Sequence, residues 1–340
     1  MIDILSLELS DIEQALLDLG EKKYRAKQIF VWLHKKQAVT FDEMSDLPEA
    51  LRVKLTQKYT ISRIFPQTVL TSRKDDTAKI LYCLPDNEHV ETVIMRYKYG
   101  DTLCVSSQVG CKMGCVFCAS GKAGFVRNLT AGEILSQIYE TERVTGRVVH
   151  NLVMMGIGEP LDNYDNVTKF LRILAHKDGR QMSHRHVSLS TCGLADNIER
   201  LSAESTGLTL SVSLHAATDS QRDEIMPINK KYNIARVITA CNNYNKVTGR
   251  RISFEYAVTN GFNDSDADAK RLAALVKPLG AYVNVIPVNK IRGRENVGGG
   301  NAAAFRDKLL LLGVTATVRR TLGEDIEAAC GQLRANTENI

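Results

Sequence analysis

The chain has 340 residues, of which 44% are hydrophobic and 24% are charged, and it carries a net charge of +5. No apolar run approaches the roughly 20 residues that a bilayer-spanning helix needs, which excludes a helical membrane protein. The amino-terminal stretch MIDILSLELSDIEQ has acids where a secretory signal has lysines. We therefore expect a globular cytoplasmic protein, in which the eight cysteines favour metal or redox chemistry over structural disulfides.

Residues 1–60 are predicted to form a helical accessory domain. The stretch LSDIEQALLDLG has the apolar spacing of an amphipathic helix that begins near Ser10 and ends at Gly20. A second helix is expected in KKYRAKQIFVWLHKK (22–36), which has six positive charges and no acid around an apolar stripe. These charges are either an ordinary solvated face or a surface that contacts the phosphates of a nucleic acid.

Residues 61–98 are predicted to add a β-hairpin. The runs TAKILYCL and HVETVIMRYK have the alternating pattern of strands, and they flank the turn PDNE. The hairpin would link the accessory domain to the rest of the chain.

From residue 99 to residue 340, strand-like runs alternate with helical patterns. This alternation predicts an α/β fold with a parallel sheet and helical crossovers. A partial (β/α)6 TIM-like barrel is favoured over a doubly wound sheet, because Leu161 stands where a third glycine would complete the G-x-G-x-x-G motif begun by Gly156 and Gly158. The glycine-rich stretch 296–301 is interpreted as a mobile loop. The six strand-like runs are LCVSSQ (103–108), NLVMMG (151–156), HVSLST (186–191), LTLSVSLH (208–215), ISFEYAV (252–258) and YVNVIPV (282–288).

Polar residues and cysteines fall at the predicted carboxyl ends of these strands. In parallel barrels, this rim is where active sites are built. We therefore expect one site that is assembled from several strands, namely from Cys111 to Cys118 after the first, GIGEP (156–160) after the second, Ser190 in the third, Ser213 and His215 in the fourth, and Asn289 after the sixth.

Three cysteines in the segment SQVGCKMGCVFCASGKAG form the pattern C-x3-C-x2-C, at Cys111, Cys115 and Cys118. One interpretation is a zinc site whose fourth ligand is a distant residue such as Cys104 or a histidine. Another is an electron-transfer cluster, which also requires four thiolates. The neighbourhood favours a three-ligand iron–sulfur cluster with one open iron, because Gly110 and Gly114 leave the backbone close to whatever is bound and Phe117 offers a ring beside it.

The three-cysteine pattern resembles the signature of the radical S-adenosylmethionine (SAM) superfamily, in which the open iron binds the amino and carboxylate groups of SAM. Longer segments resemble the RlmN/Cfr family of RNA methyltransferases across nearly the whole chain, namely YRAKQIFVWLHKK, DTLCVSSQVGC, LVMMGIGEPLDN, LSVSLHA, IMPINKKYN and RRTLGEDIEAACGQL. The resemblance implies a [4Fe-4S] cluster with one open iron and a SAM pocket formed by Gly158, Glu159, Ser190, Ser213, Leu214, His215 and Asn289.

The resemblance also implies a reaction. Enzymes of the RlmN type methylate carbon 2 of adenosine 2503 in 23S rRNA and, in some cases, adenosine 37 of tRNAs. This carbon is electron-poor, so a carbon radical can add to it where an ordinary methyl transfer fails. By matching position, Cys330 would carry the methyl group as S-methylcysteine, Cys104 would resolve the RNA–protein link by forming a disulfide with Cys330, and Glu91 would accept the proton. An electron donor such as flavodoxin and a thiol reductant such as thioredoxin would act as partners.

Other interpretations stay open. Cfr-type enzymes methylate carbon 8 of the same adenosine, although GEP at 158–160 and WLHKK near the amino terminus favour the RlmN type. A zinc-binding RNA module without catalysis is a second alternative. The cysteines at 83, 192 and 241 are expected to be core residues, with Cys192 near the pocket. Candidate RNA-contacting cations outside the basic helix are Lys230, Lys231, Arg292, Arg294, Arg319 and Arg320.

Overall fold

The structure is a computed structural model of the chain. It describes residues 1–121, 124–204, 207–288, 299–329 and 331–333. Four residues that the sequence singles out, Asn289, Arg292, Arg294 and Cys330, lie outside the described residues, as does part of the glycine-rich stretch 296–301.

The amino-terminal region is helical, as predicted. Helix α1 begins at Leu9, and its N-cap is Glu8 instead of the predicted Ser10. The side chains of Glu8 and Asp11 form a capping box that satisfies free amide groups at the start of the helix. The apolar stripe of the second helix, which includes Phe30 and Leu33, is fully buried. The elements are β1 (Ile2–Asp3), α1 (Leu9–Asp18), α2 (Arg25–His34), α3 (Glu49–Lys58) and β2 (Tyr59–Thr60), with β1 and β2 paired in parallel.

An antiparallel ribbon follows the helices. The predicted hairpin is confirmed as β4 and β5, and an additional strand, β3, pairs with β4. Along β5, Glu91, Val93, Met95 and Tyr97 occupy alternate positions and therefore share one face of the strand. The three strands are β3 (Phe65–Thr71), β4 (Ala78–Cys83) and β5 (His89–Tyr97).

The remaining strands and helices form the barrel. Its parallel strands are β6 (Gly100–Cys104), β9 (Val149–Met154), β10 (Val187–Thr191), β11 (Thr209–Ser213), β12 (Ser253–Val258), β13 (Tyr282–Pro287) and β14 (Thr315–Val318), and a separate antiparallel pair comprises β7 (Gln108–Gly110) and β8 (Phe125–Asn128). The helices are α4 (Ala131–Thr145), α5 (Tyr164–Ala175), α6 (Ala195–Ala203), α7 (Asp219–Ile225), α8 (Ile234–Thr248), α9 (Asp266–Val276) and α10 (Ala302–Leu311).

The barrel strands and the ribbon form one ten-stranded sheet in the order β14-β13-β12-β11-β10-β9-β6-β5-β4-β3. The seven barrel strands of this sheet, β6 and β9 to β14, run parallel to one another, whereas β5 pairs antiparallel with β6. All six predicted parallel strands are present, and β14 adds a seventh that the sequence reasoning missed. Within the described residues, β14 and β3 are the edges of this sheet, so the barrel is a partial one.

The amino-terminal region packs against helix α4. The Ser6 hydroxyl accepts a hydrogen bond from the Gly132 amide at 2.8 Å, and His34 Nδ1 lies 3.2 Å from the Tyr139 hydroxyl. One continuous hydrophobic core joins these helices to the barrel. In the part of the chain that the structure describes, no helix combines the length and the apolar character that crossing a membrane requires.

Candidate active site

A cavity of about 160 Å³ opens at the carboxyl ends of the barrel strands. This position is the one expected for an active site in a parallel barrel. The predicted residues that line it are Cys111, Cys115, Cys118, Gly158, Glu159, Ser190, Ser213 and His215. The fold therefore brings residues from four strand ends into one space.

The other predicted residues have different positions. Leu214 is fully buried in the main core and does not line the cavity, although its amide donates to the Glu255 carbonyl at 3.1 Å. Glu91 and Cys104 lie on the neighbouring strands β5 and β6. Gly331 and Leu333, which follow the undescribed Cys330, line the cavity.

Three cysteines project from a loop that we call the thiol loop, residues 111–118. Backbone hydrogen bonds hold this loop and the turn that follows it from three directions. The bonds run from the Cys111 amide to the Gly124 carbonyl (2.8 Å), from the Val116 amide to the Ile225 carbonyl (3.0 Å) and from the Ala119 amide to the Gly331 carbonyl (2.8 Å). The loop is thus anchored to the β7–β8 pair, to the end of α7 and to the C-terminal segment.

Gly110 allows the thiol loop to begin where it does. Its φ is +71°, a conformation that favours glycine, and a Cβ atom there would lie 1.8 Å from the Gly124 carbonyl oxygen. Any side chain at this position would therefore break the hydrogen bond between Cys111 and Gly124.

Burial and mutual repulsion disfavour free thiolates in the thiol loop. Burial raises the pKa of Cys111 to about 12, and the negative charges of Glu159 and Cys118 add to the rise. Burial also raises the pKa of Cys115, which Cys118 and Cys111 increase further and the Arg222 guanidinium opposes. Three thiolates on this wall therefore need a cationic partner, and an iron–sulfur core bound by three thiolates meets that need.

The zinc interpretation of these thiols differs from the cluster in geometry. A zinc ion needs its ligand sulfurs at about 2.3 Å from one point, whereas the cysteine sulfurs of an iron–sulfur cluster bind separate irons. The metal content of the purified protein distinguishes the two.

The turn after β9 carries Gly156, Gly158 and Glu159 against the start of β7. Gly158 has a φ of +105°, and a Cβ atom there would lie 2.6 Å from the Gln108 Cβ atom. The Glu159 carboxylate is buried and accepts hydrogen bonds from the Leu161 amide at 3.0 Å and the Cys192 amide at 2.7 Å. Burial raises the pKa of Glu159, which these amide donors oppose. The side chain of Glu159 thus ties the end of β10 to this turn.

His215 follows β11 with a φ of +55° and is buried in the cavity wall. Its Nδ1 atom lies 3.0 Å from the Ala257 amide, which can only donate, so Nδ1 accepts and the hydrogen of the neutral ring is on Nε2. Burial lowers the pKa of His215 to about 3, and the Arg222 charge adds to the effect. The ring is therefore a neutral Nε2–H donor, and Phe117 packs edge-on against it at 4.6 Å between centroids.

Arg222 is a fully buried arginine that joins the strand ends around the cavity. Its guanidinium group donates to backbone carbonyls and one side-chain amide from three segments of the chain. The acceptors are Leu214 O (3.2 Å), Ser213 O (3.3 Å), Cys192 O (2.6 Å), Tyr232 O (3.1 Å) and Asn229 Oδ1 (2.9 Å). Sequence reasoning missed this residue, because DSQRDEI has the composition of a solvated helix.

A second buried charge, Glu255 on β12, lines the same cavity. Its register partners are Ser213 on β11 and Asn284 on β13, so the three side chains form a polar row across the sheet. Asn284 donates to the carboxylate at 3.0 Å, and an Arg319 nitrogen lies 3.7 Å from it. A glutamate inside the apolar run ISFEYAV was the sequence signal that could have revealed this position.

Cys104 lies against the segment that contains Cys330. Its side chain belongs to a small apolar cluster with Val93, Ala328 and Leu333. The Leu333 carbonyl also accepts a 2.6 Å hydrogen bond from Ser120, the residue that follows the thiol loop by two positions. The residues on both sides of Cys330 are thus held between Cys104 and the thiol loop.

Lys79 connects Glu91 to the same segment. Its ammonium group lies 3.3 Å from the Glu91 carboxylate and donates to the Glu327 carbonyl at 3.2 Å. Both side chains are nearly buried, with 11% and 6% of their surfaces exposed. Sequence reasoning identified Glu91 and gave no sign of this lysine.

The three remaining cysteines occupy core or near-core positions. Cys241 is fully buried in α8, and Cys83 is half-buried at the end of β4. Cys192 is buried and lines the cavity, as the sequence suggested for a thiol near the pocket.

Family models match two parts of the chain. Residues 105–273 match the radical SAM superfamily, and residues 2–61 match the ribosomal RNA large subunit methyltransferase N-terminal domain.

Curated relatives are similar over nearly the whole chain. A probable dual-specificity RNA methyltransferase RlmN from Desulforamulus reducens is 46% identical over 99% of this chain and 97% of its own length. The protein of the same description from Clostridium perfringens strain 13 is 47% identical over 98% and 97%. The crystal structure of a radical SAM methyltransferase from Sphaerobacter thermophilus is 40% identical, covers 99% of this chain and 100% of its own, and superposes with a TM-score of 0.92.

Replacing Arg222 with methionine tests its role in joining the strand ends. The change leaves several buried carbonyls without a donor, so we expect the free energy of unfolding to fall by about 3–5 kcal/mol. Urea unfolding followed by circular dichroism measures this. Arg200→Met removes an exposed ion pair with Asp165 and should change little. A loss below about 1 kcal/mol for Arg222→Met would contradict the assignment.

The Gly158 turn can be tested against a matched glycine. Gly249 ends α8 with a φ of +64°, and a Cβ atom there would have no neighbour within 4 Å, so Gly249→Ala should cost only the left-handed strain of about 1–2 kcal/mol. Gly158→Ala adds the overlap with Gln108 and should cost clearly more. Equal losses in thermal unfolding would show that the close approach is unimportant.

Proposed function

The chain belongs to the RlmN family of radical SAM RNA methyltransferases, and we propose that it methylates carbon 2 of adenosine 2503 in 23S rRNA and of adenosine 37 in tRNAs. One observation carries the proposal. A single cavity has the thiol loop on one wall, and the neighbours of Cys330 sit between that loop and Cys104. A carbon-radical reaction that needs a thiol methyl carrier requires this proximity.

Most of the proposed cofactor residues line the cavity. The cysteines at 111, 115 and 118 would hold a [4Fe-4S] cluster, and the rim residues Gly158, Glu159, Ser190, Ser213, Leu214, His215 and Asn289 would hold SAM, with Leu214 contributing backbone atoms only. When bound, the cluster and SAM supply a one-electron cleavage that yields a carbon radical able to remove a hydrogen atom. Neutral His215 offers its Nε2–H donor to the cosubstrate.

Two thiols of the chain would carry the methyl group and release the product. The Cys330 thiolate takes a methyl from one SAM by displacement, and a second SAM is consumed when a hydrogen atom is removed from this S-methyl group. The carbon would then bond to adenine carbon 2, which links RNA and protein, and the adduct would give up its unpaired electron to the one-electron couple that began the reaction. Glu91 would accept the proton from carbon 2. The Cys104 thiolate would attack the Cys330 sulfur, and the sulfur–carbon bond would break toward the RNA, where the carbon takes up a proton and becomes the methyl group while the two thiols form a disulfide.

Each turnover leaves an oxidised thiol pair that must be restored. The Cys104–Cys330 disulfide needs an external thiol such as thioredoxin, and the cluster needs a one-electron donor such as flavodoxin. These partners, together with ribosomal and transfer RNA, are those of a cytoplasmic enzyme.

Residues 1–60 would act as an RNA-binding accessory unit, 61–98 as an extension and 99–340 as the radical SAM core. The charges of α2 and its flanks divide into two groups. Lys23, Arg25 and Lys27 are ion-paired with Glu13, Glu21 and Asp178, whereas Lys22, Lys35 and Lys36 are exposed and pair with no described acid. The latter three, with exposed Lys230 and Lys231, are cations available to phosphates, whereas Arg292 and Arg294 lie outside the described residues.

Methylation of a 23S rRNA transcript tests the proposed reaction. After incubation with SAM and a reductant under anaerobic conditions, digestion and mass spectrometry should find 2-methyladenosine at position 2503. A product containing only 8-methyladenosine would replace the proposal by the Cfr-type reaction. Unmodified RNA together with a colourless, zinc-loaded protein would support the non-catalytic module.

Single substitutions distinguish the proposed roles of Cys330 as the methyl carrier and Cys104 as the resolving thiol. Cys330→Ala should abolish RNA methylation while SAM is still cleaved, because the carrier is absent and the thiol loop is intact. Cys104→Ala should methylate Cys330 and then accumulate covalently linked RNA, visible as a shifted band on a denaturing gel. Cys83→Ala, at a half-buried thiol outside the cavity, is the control. Normal RNA methylation by Cys330→Ala would refute the carrier mechanism.

Substitutions in the Lys79–Glu91 ion pair test its role in product release. Glu91→Gln removes the proton acceptor and should slow product release about 10²–10⁴-fold, with Cys330 methylation unchanged. Lys79→Met leaves the carboxylate without its cation and loosens the Glu327 carbonyl, so it should also slow release. Lys74→Met breaks an exposed lysine–glutamate contact at 4.0 Å and should have no effect. Single-turnover rates of RNA release distinguish these outcomes, and unchanged release in Glu91→Gln would remove Glu91 from the mechanism.

A further inference from the structure

A second groove adjoins the cavity on the side of β5. We call it the tyrosine groove, and it is a shallow depression with a volume of about 40 Å³. It shares Ile286, Pro287 and Arg319 with the cavity wall, so the two spaces lie side by side. The residues that line it are Met95, Tyr97, Ile286, Pro287, Arg319, Arg320, Thr321, Leu322, Ala328 and Ala329. Ala329 immediately precedes the proposed methyl carrier.

The Tyr97 end of the groove lies too far from Glu91 to hold the target base. Glu91, Met95 and Tyr97 share one face of β5, and a strand advances about 3.3 Å per residue. Tyr97 is therefore about 20 Å along the strand from Glu91. A base whose carbon 2 reaches Glu91 cannot also contact Tyr97, so an occupant of the groove would be a neighbour of that base.

Two tyrosines form an aromatic platform at the groove. The Tyr97 and Tyr99 rings are nearly parallel, at 8°, with 5.1 Å between their centroids. Tyr97 lines the groove, and Tyr99 is 69% exposed in the turn between β5 and β6. Aromatic side chains of this kind stack on nucleic-acid bases with little preference for sequence.

Positive charge surrounds this platform. Arg320 lines the groove and is exposed, and Lys98 lies between the two tyrosines in the chain. Neither forms an ion pair with any residue that the structure describes. Tyr97, Arg319 and Arg320 line the same groove, and the charges of both arginines oppose the rise that burial produces in the pKa of Tyr97. Cations without acidic partners are the groups that bind phosphates.

We propose that the tyrosine groove binds a nucleotide adjacent to the target adenosine, with its base stacked on the Tyr97–Tyr99 pair and its phosphate at Arg320. This inference rests on the proposed RNA substrate and deepens it. The groove would hold the RNA strand on one side of the target while the adenosine is turned out of its stack into the cavity. In this proposal, β5 and the residues that follow β14 position the RNA.

Abasic RNA tests the stacking directly. In a 23S rRNA hairpin that contains the target adenosine, the base on either flank is removed in turn, and the dissociation constants are measured by fluorescence anisotropy. Removal on the side held by the groove should weaken binding by the wild-type protein roughly 5- to 150-fold. The Tyr97→Leu/Tyr99→Ala double variant should bind the intact hairpin equally weakly and show no further loss with the abasic RNA, as expected for a coupled pair.

Arg320→Ala tests the phosphate contact. It should weaken both RNAs alike and reduce the slope of log affinity against log salt by about one. The matched control is Tyr282→Leu/Arg251→Ala, which removes another tyrosine–arginine pair (5.4 Å) at the amino ends of β12 and β13, away from the cavity. Methylation of Cys330 without RNA should be unchanged in all these variants, which shows that they fold and bind SAM.

The outcomes separate the groove from the proposed function. If the wild type methylates the hairpin and the tyrosine variants still lose affinity when the base is removed, the groove is not the base site. The same conclusion follows if these variants bind and methylate the hairpin as the wild type does. If the wild type methylates no RNA at all, the proposed function fails, whatever the groove binds.

Discussion

The candidate active site depends on how the thiol loop is held. Three backbone hydrogen bonds attach it and the turn after it to the Gly124 carbonyl, to the end of α7 and to Gly331 in the C-terminal segment. The first two fix the thiols against the strand ends where a cosubstrate would sit. The third fixes the neighbour of Cys330 against the same loop, so the proposed radical source and the proposed methyl carrier are positioned by one short stretch of backbone.

Buried charges organise the cavity around that loop. Arg222 holds the ends of β10 and β11 together through carbonyl oxygens, and its positive charge opposes the rise that burial produces in the pKa of Cys115. Glu159 satisfies two amides, and Glu255 is matched by Asn284 and Arg319. Because each of these buried charges has partners, the mostly apolar cavity carries them without a large cost in stability.

Much of the architecture could be predicted because its signals are local. Strand–helix alternation revealed the six parallel strands, and the C-x3-C-x2-C spacing identified the thiol loop. The strand β14 (Thr315–Val318) was missed because it spans only four residues and no periodicity distinguishes so short a run. Arg222 was missed because its acceptors are mostly carbonyl oxygens, which every residue has. Lys79 and the tyrosine groove depend on pairing between distant segments, and the roles of Cys330 and Cys104 came from family resemblance alone.

The central claim is that three cysteines hold an iron–sulfur cluster whose fourth iron accepts SAM. Electron paramagnetic resonance of the anaerobically reconstituted and reduced protein tests it most directly, with spectra recorded before and after SAM is added. We predict a [4Fe-4S] signal whose g values shift on addition of SAM, and loss of the signal when Cys115 is replaced by alanine. A signal that SAM leaves unchanged would mean that the chain itself completes the cluster, and that result would contradict the claim.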